Sequence, residues 1–175
     1  LTEFGLRNAS VVLEYAGQTS SWRVPEASVD FDHSRKRSVI SGRAKVESSR
    51  GPWAFSFLTD ESVKTGRLQV KATVRDLVPA TLAAAAPPFA LLGMFQLPVA
   101  GDATVELSTD GDVESSELAL EAGSGRIRLP DFKEPFNLTG GLFRLSFDGK
   151  TRQWQLAPSP VKWQDGSILF TGSMK

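Results

Sequence analysis

Cysteine is absent from the 175-residue chain. Its absence excludes disulfides, thiolate-bound zinc, iron–sulfur clusters and cysteine nucleophiles. It is compatible with an exported bacterial protein, and equally with a cytosolic domain. Histidine is reduced to one residue, His33, too few for a His-rich metal site and for most His-based triads. An excess of charge of either sign is also missing, because 20 Lys and Arg balance 20 Asp and Glu. A chain without a net field does not hold polyanions, which argues against nucleic acid as a partner. The one long uncharged stretch, residues 77–101, is interrupted by Pro79, Pro87, Pro88 and Pro98. Adjacent prolines break the helix that lipid requires, so this stretch is not a membrane span.

What remains is ordinary globular material, 41% hydrophobic and 23% charged, well away from a disordered composition. Alternation with period two dominates it. Leu68, Val70, Ala72 and Val74 alternate with Arg67, Gln69, Lys71, Thr73 and Arg75. A strand sends successive side chains to opposite faces, so such a run has one apolar and one wet face. The same pattern recurs at Ala27, Val29 and Phe31, at Trp53, Phe55 and Phe57, and at Val99, Ala103, Val105 and Leu107. It returns at Leu118, Leu120 and Ala122, and at Phe143, Leu145 and Phe147.

Asp110-Gly111, Asp148-Gly149 and Asp165-Gly166 mark tight hairpins. Gly17-Gln18, Arg50-Gly51-Pro52 and Gly123-Ser124-Gly125 are further breaks. The pattern predicts about twelve strands. The expected fold is mainly β, an antiparallel meander of amphipathic strands in a strongly curved or groove-forming sheet. Half-buried alternation throughout argues against a parallel sheet covered on both faces.

One short Ala/Pro-rich helix is expected as an insertion at about 77–94, around Ala80 to Ala86. Being almost uncharged, it must plug or cap an open end of the apolar face. Ser41-Gly42-Arg43-Ala44-Lys45-Val46-Glu47 is echoed by Ala100-Gly101-Asp102-Ala103-Thr104-Val105-Glu106, which suggests an internal repeat, 37–95 and 96–160. Ile168 to Ser173 resembles the start of a third copy. The chain opens on Leu1 and closes inside an alternating segment, so it is expected to be a single β-rich fragment, 1–175, of a longer protein.

No constellation for catalysis emerges. Asp30, Asp32 and His33 could form a metal cluster, but alternation sets the two carboxylates on one strand face and His33 at the strand end. Arg35-Lys36-Arg37 reads as a solvated hairpin tip. Glu114, Glu117, Glu121, Asp60, Glu61 and Asp131 have solvent-face or turn positions and no cleft to flank. A Gly-x-Ser-x-Gly elbow, a Walker sequence and a complete dinucleotide fingerprint are all missing. The expectation is a non-enzyme with neither metal nor cofactor. A dozen one-sided strands must hide their apolar faces by closing into a barrel, packing as a sandwich, or curling into a trough that holds something apolar. The 11 Phe and 4 Trp serve equally as core or as ligand lining.

Several phrases in succession carry a resemblance. They are Leu6 to Glu14, Trp22-Arg23-Val24-Pro25 before Val29-Asp30, Ile40 to Ala44, and Asp76-Leu77-Val78-Pro79 ahead of the alanine run. Pro98 to Ala103, Ser108-Thr109-Asp110-Gly111 and Leu129-Pro130-Asp131 complete the order. It resembles the AsmA-like superfamily of bacterial envelope proteins, and within it the branch with a YhdP-like central region. The resemblance implies a periplasmic protein, anchored in the inner membrane by an N-terminal helix that is expected to lie outside this fragment. It implies phospholipid transport between inner and outer membranes, or support of outer-membrane integrity, along an apolar β-groove.

Groove-lining candidates are Leu68, Val70, Ala72, Val74, Val105, Leu107, Leu118 and Leu120, with phospholipid or another acyl-chain ligand, and other envelope proteins, as partners. The alternative is a non-catalytic structural or interaction module of the envelope that docks through a sheet edge.

Overall fold

A computed structural model describes residues 2–15, 18–62, 64–83, 85 and 87–175. Gly17 of the expected first turn, and Ala84 and Ala86 of the alanine run, lie outside the described residues. The chain runs β1 (Glu3–Tyr15), β2 (Gln18–His33), β3 (Arg37–Ser48), β4 (Gly51–Ser62), β5 (Leu68–Leu77), β6 (Phe95–Gln96) and β7 (Val99–Leu107). It continues through β8 (Val113–Ala122), β9 (Gly125–Ile127), β10 (Phe136–Leu138), β11 (Gly140–Asp148), β12 (Gln153–Trp163) and β13 (Gly166–Met174). Ten of these strands form one open sheet in the order β1-β2-β3-β4-β5-β7-β8-β11-β12-β13, every neighbour antiparallel. Strands β10, β9 and β6 make a second, three-stranded sheet. The fold is thus the mainly β, antiparallel meander that the alternation predicts.

Register keeps every apolar set on the same side. Phe4 and Leu6 of β1 face Val29 and Ala27 of β2. These face Gly42 and Ala44 of β3, which in turn face Phe57 and Phe55 of β4. The row continues through Ala72 and Val74, Ala103 and Gly101, Leu118 and Leu120, and Leu145 and Phe143. It ends at Leu156 and Trp154 of β12 against Gly172 and Met174 of β13. A slip of one residue anywhere would turn a whole strand's apolar set into water, which is why the hydrophobic pattern fixes the register.

Two glycines make room for bulk on that face. A Cβ on Gly42 would collide with the ring of its cross-strand neighbour Phe57, and one on Gly101 with the Leu120 side chain. These glycines belong to the two echoed segments. The segments themselves lie on β3 and β7, three strands apart and running in opposite directions. Any repeat unit is therefore rotated along the sheet, and what the copies share structurally is a glycine under a bulky neighbour.

Pro25 stands inside β2 because the ladder steps around it. Arg7 pairs Glu26 and Ala9 pairs Val24 in unchanged register, so Asn8 (φ 51°) and Pro25 stand opposite each other as an unpaired position. On the other side the β2–β3 register shifts between Arg23 and Glu26. A proline has no N–H to give, so a bulge is where a sheet tolerates it. A second irregularity lies in β12, between Leu156 and Ser159. Ser159 is fully buried there. Its Oγ donates to the Ala157 carbonyl (2.7 Å) and accepts from the Arg144 N–H (3.2 Å). The hydroxyl thus serves a backbone donor at a place where the β11–β12 ladder is itself irregular.

The insertion between β5 and β6 is helical, as two 3-10 turns, Pro79–Thr81 and Pro87–Met94. Leu77, the expected first residue of the insertion, still belongs to β5. Pro87-Pro88 removes two successive N–H donors, so an α-helix cannot run through the alanine stretch into Phe89. No helix among the described residues is long and apolar enough to cross a membrane.

Candidate functional site

The two long connections, 78–98 and 123–139, leave the main sheet at the same end. The connections β2–β3, β4–β5, β7–β8 and β11–β12 close the opposite, turn end. There Gly111 takes φ 85°, and the Asp148 carboxylate accepts the N–H groups of Lys150 (2.8 Å) and Thr151 (3.2 Å). These contacts explain two of the Asp-Gly hairpins, through positive φ in one and an Asx turn in the other. In the third, Gln164 and Asp165 form the turn, and Gly166 already pairs with Trp163.

At the long-loop end the apolar face acquires a second layer. Leu97, only 2% exposed, clusters with Leu138, Ala122 and Val161, and Val99, Ile127 and Phe143 pack against them. Ile127 lies opposite both Phe95 and Phe136, so the small sheet is the plate that covers this corner. Ala85 is buried beside it in sequence, at 2% exposure. Thr81 borders a depression with residues 19–22 and 47–49, which sets the first 3-10 turn beside the ends of β2 and β3. The first 3-10 turn thus lies at the long-loop end of the main sheet.

All eight groove candidates share one face on three adjacent strands. Leu68 is opposite Leu107 and Val70 opposite Val105, while Ala72 and Val74 meet Ala103 and Gly101. Ala103 and Gly101 in turn face Leu118 and Leu120 of β8. Each of the eight is half-buried. The structure extends the strip beyond them, through Phe55 and Phe57 on β4 and Leu145 and Phe147 on β11. Those residues carry the same alternation in sequence, and only the register shows that they continue the ladder. Phe147 and Trp154 stack across β11 and β12 at 4.8 Å, and Phe55 and Phe57 lie 6.1 Å apart. The Trp53 Nε1 is buried without a hydrogen-bond partner, a polar donor at the covered end of an apolar row.

The opposite face is laced with ion pairs. Glu26 lies 3.7 Å from Arg43 and 3.5 Å from Lys45, and Arg75 lies 3.1 Å from Asp102. Arg37 grips Asp60 with two guanidinium nitrogens. That grip, chiefly the hydrogen bond, holds the Asp60 carboxyl below the usual carboxylate range. Asp102 is also held low, first by the Thr73 hydroxyl (2.7 Å) and then by Arg75. Shallow depressions of about 270 Å³ (Arg43, Ala54, Ser56) and 370 Å³ (Thr104, Glu117, Arg144) lie among these charged rows. Asp30 and Asp32 point to this face and His33 to the other, and among the described residues no group of His, Asp and Glu is placed to hold a metal ion.

The protein is therefore a two-faced sheet with a charged side and an apolar side, the latter plated over at one end. No protein-family model, curated protein or solved structure matches this chain.

Proposed function

We propose that the chain is a non-catalytic, AsmA-like segment of a periplasmic envelope protein that shields acyl chains on the apolar face of its main sheet. In that role it contributes to phospholipid movement between inner and outer membranes, or to outer-membrane integrity. The observation that carries the reading is the apolar row across ten strands, with the fully buried hydrophobic residues, among those described, gathered towards the long-loop end. Isolated soluble domains seldom leave contiguous apolar surface of that extent bare, and such surface marks a ligand, membrane or protein site. Methylene chains suit it because the strip offers dispersion contact along a line and few polar groups to satisfy.

The test is binding of a fluorescent acyl-chain probe to delipidated protein, with native mass spectrometry of the purified chain for co-purified phospholipid. Val70→Glu and Leu120→Glu each place a charge in the strip, and each is expected to weaken probe binding at least about tenfold, since a desolvated charge is costly. The far-ultraviolet circular dichroism of both variants should stay that of the wild type. Equal binding by wild type and both variants overturns the proposal.

A further inference from the structure

The apolar face changes character along its strands. At the long-loop margin it meets Leu97, Ile127 and Leu138. At the turn end of β2, β3 and β4 it closes instead on three polar residues. The register sets His33 opposite Ser38, and Ser38 opposite Glu61. The β3–β4 register is continuous, and that of β2–β3 is continuous from Glu26 to His33. The alternation therefore carries these three to the side of Phe31, Ile40 and Phe57. One step further out lies the β2–β3 hairpin tip. The Ser34 N–H donates to the Arg37 carbonyl (2.8 Å), and the Ser34 Oγ accepts from the Arg37 N–H (3.1 Å), which holds Arg35 and Lys36 at the apex. Arg37 itself turns to the charged face and Asp60. Arg35, Lys36 and Glu61 are exposed, and among the described residues none of them has an ion-pair partner.

We infer that this polar margin takes a zwitterionic phospholipid headgroup, an inference that rests on the acyl-chain reading above. The phosphate sits on Arg35 and Lys36, with the His33 imidazole and the Ser38 hydroxyl beneath it, and the ammonium sits on Glu61. Two strand spacings, about 10 Å, separate β2 from β4. The cationic apex and the carboxylate are thus two stations, one for each charge of the headgroup. Strand β4 shows the same polarity along its own length, from Phe55 and Phe57 through Thr59 to Glu61. Phe55 and Glu61 are about 20 Å apart at the rise of a strand. One leaflet of a bilayer's hydrocarbon core is about 15 Å deep. A headgroup held at Glu61 therefore leaves its chains on the apolar strip, directed towards the plated corner.

The test loads the delipidated 175-residue chain with a fluorescent acyl-chain probe that carries no phosphate. The probe is then displaced by lysophosphatidylethanolamine or by lysophosphatidylglycerol of the same chain length. Phosphate and acyl chain are common to both lipids, and only the first has an ammonium. The wild type is expected to prefer the first by about threefold, the worth of one exposed charge pair. Glu61→Gln should erase that preference without weakening the glycerol lipid. Arg35→Ala combined with Lys36→Ala should weaken both lipids by about tenfold, for two such pairs. Probe binding and circular dichroism should stay those of the wild type in every variant, since all three side chains are exposed. Probe binding with displacement indifferent to the headgroup and to these substitutions overturns this inference alone. Lysophospholipid binding abolished by millimolar inorganic phosphate marks a site for the free anion and also overturns it. A probe that fails to bind overturns the acyl-chain reading, and the inference falls with it.

Discussion

The long-loop end and the turn end of the apolar face are made from the same residue types, yet they end in different environments. At the long-loop end Leu97, Leu138 and Ile127 arrive from the two long connections and bury Ala122, Val161 and Phe143. At the turn end the connections are too short to send anything back over the sheet, and Val113 stays 41% exposed. A strand pattern specifies which side is apolar. Whether that side becomes core depends on the length of chain available to fold over it. The covered corner holds the buried cluster, and the remainder of the face stays only half-buried.

Truncating a residue at each end measures that difference most directly. Leu97→Ala empties a site that is only 2% exposed and is expected to cost about 2–5 kcal/mol in urea unfolding. Leu118→Ala removes a half-buried side chain from the open strip and should cost only about 1 kcal/mol. Equal costs would mean that the open strip is as enclosed as the plated corner, which would break the comparison.

A smaller effect separates packing from hydrogen bonding at the β11–β12 irregularity. Ser159→Ala leaves the Arg144 N–H and the Ala157 carbonyl without their bridging hydroxyl. Stranding a buried donor costs about 1–3 kcal/mol. Ser159→Gly should cost at least as much, which distinguishes a missing hydroxyl from simple crowding. A loss confined to faster hydrogen exchange at Arg144 and its neighbours, with no change in global unfolding, would show the bridge to be local.

Much of this was legible in the residues. The alternation at 68–74, 103–107 and 118–122 gave the strands, their apolar side and eight members of one ladder, because period two translates directly into faces. The Asp-Gly dipeptides marked the hairpins. Pro25 hid the first half of β2, since nothing local announces that the β2–β3 ladder shifts register around it. The plate was equally hidden. Strands of two or three residues such as β6, β9 and β10 have no periodicity to read. Leu97 and Leu138 also lie outside every alternating run, so their burial is a product of tertiary folding alone. The alanine run suggested one short helix, and the structure has two 3-10 turns that flank the run, Pro79–Thr81 and Pro87–Met94.

The smallest effect expected lies on the charged face, where the same two ends can be compared through Asp60 and Asp102. Asp60 sits towards the turn end with Arg37, and Asp102 towards the long-loop end with Thr73 and Arg75. Both carboxyls titrate below their ordinary range in the folded protein. A depressed carboxyl stabilises the fold fully above its unfolded pKa, and the stabilisation is lost as pH falls through the folded value. The Tm deficit of Asp60→Asn or Asp102→Asn should therefore be present near neutrality and fade below the usual carboxylate range. Exposed pairs are screened, so both deficits should be slight and should shrink further in molar salt. Asp102 draws first on a neutral hydroxyl and Asp60 on a guanidinium, so salt should erase the Asp60 deficit more completely. A deficit at Asp60 that survives salt while the one at Asp102 vanishes would show the opposite division of labour between the two ends.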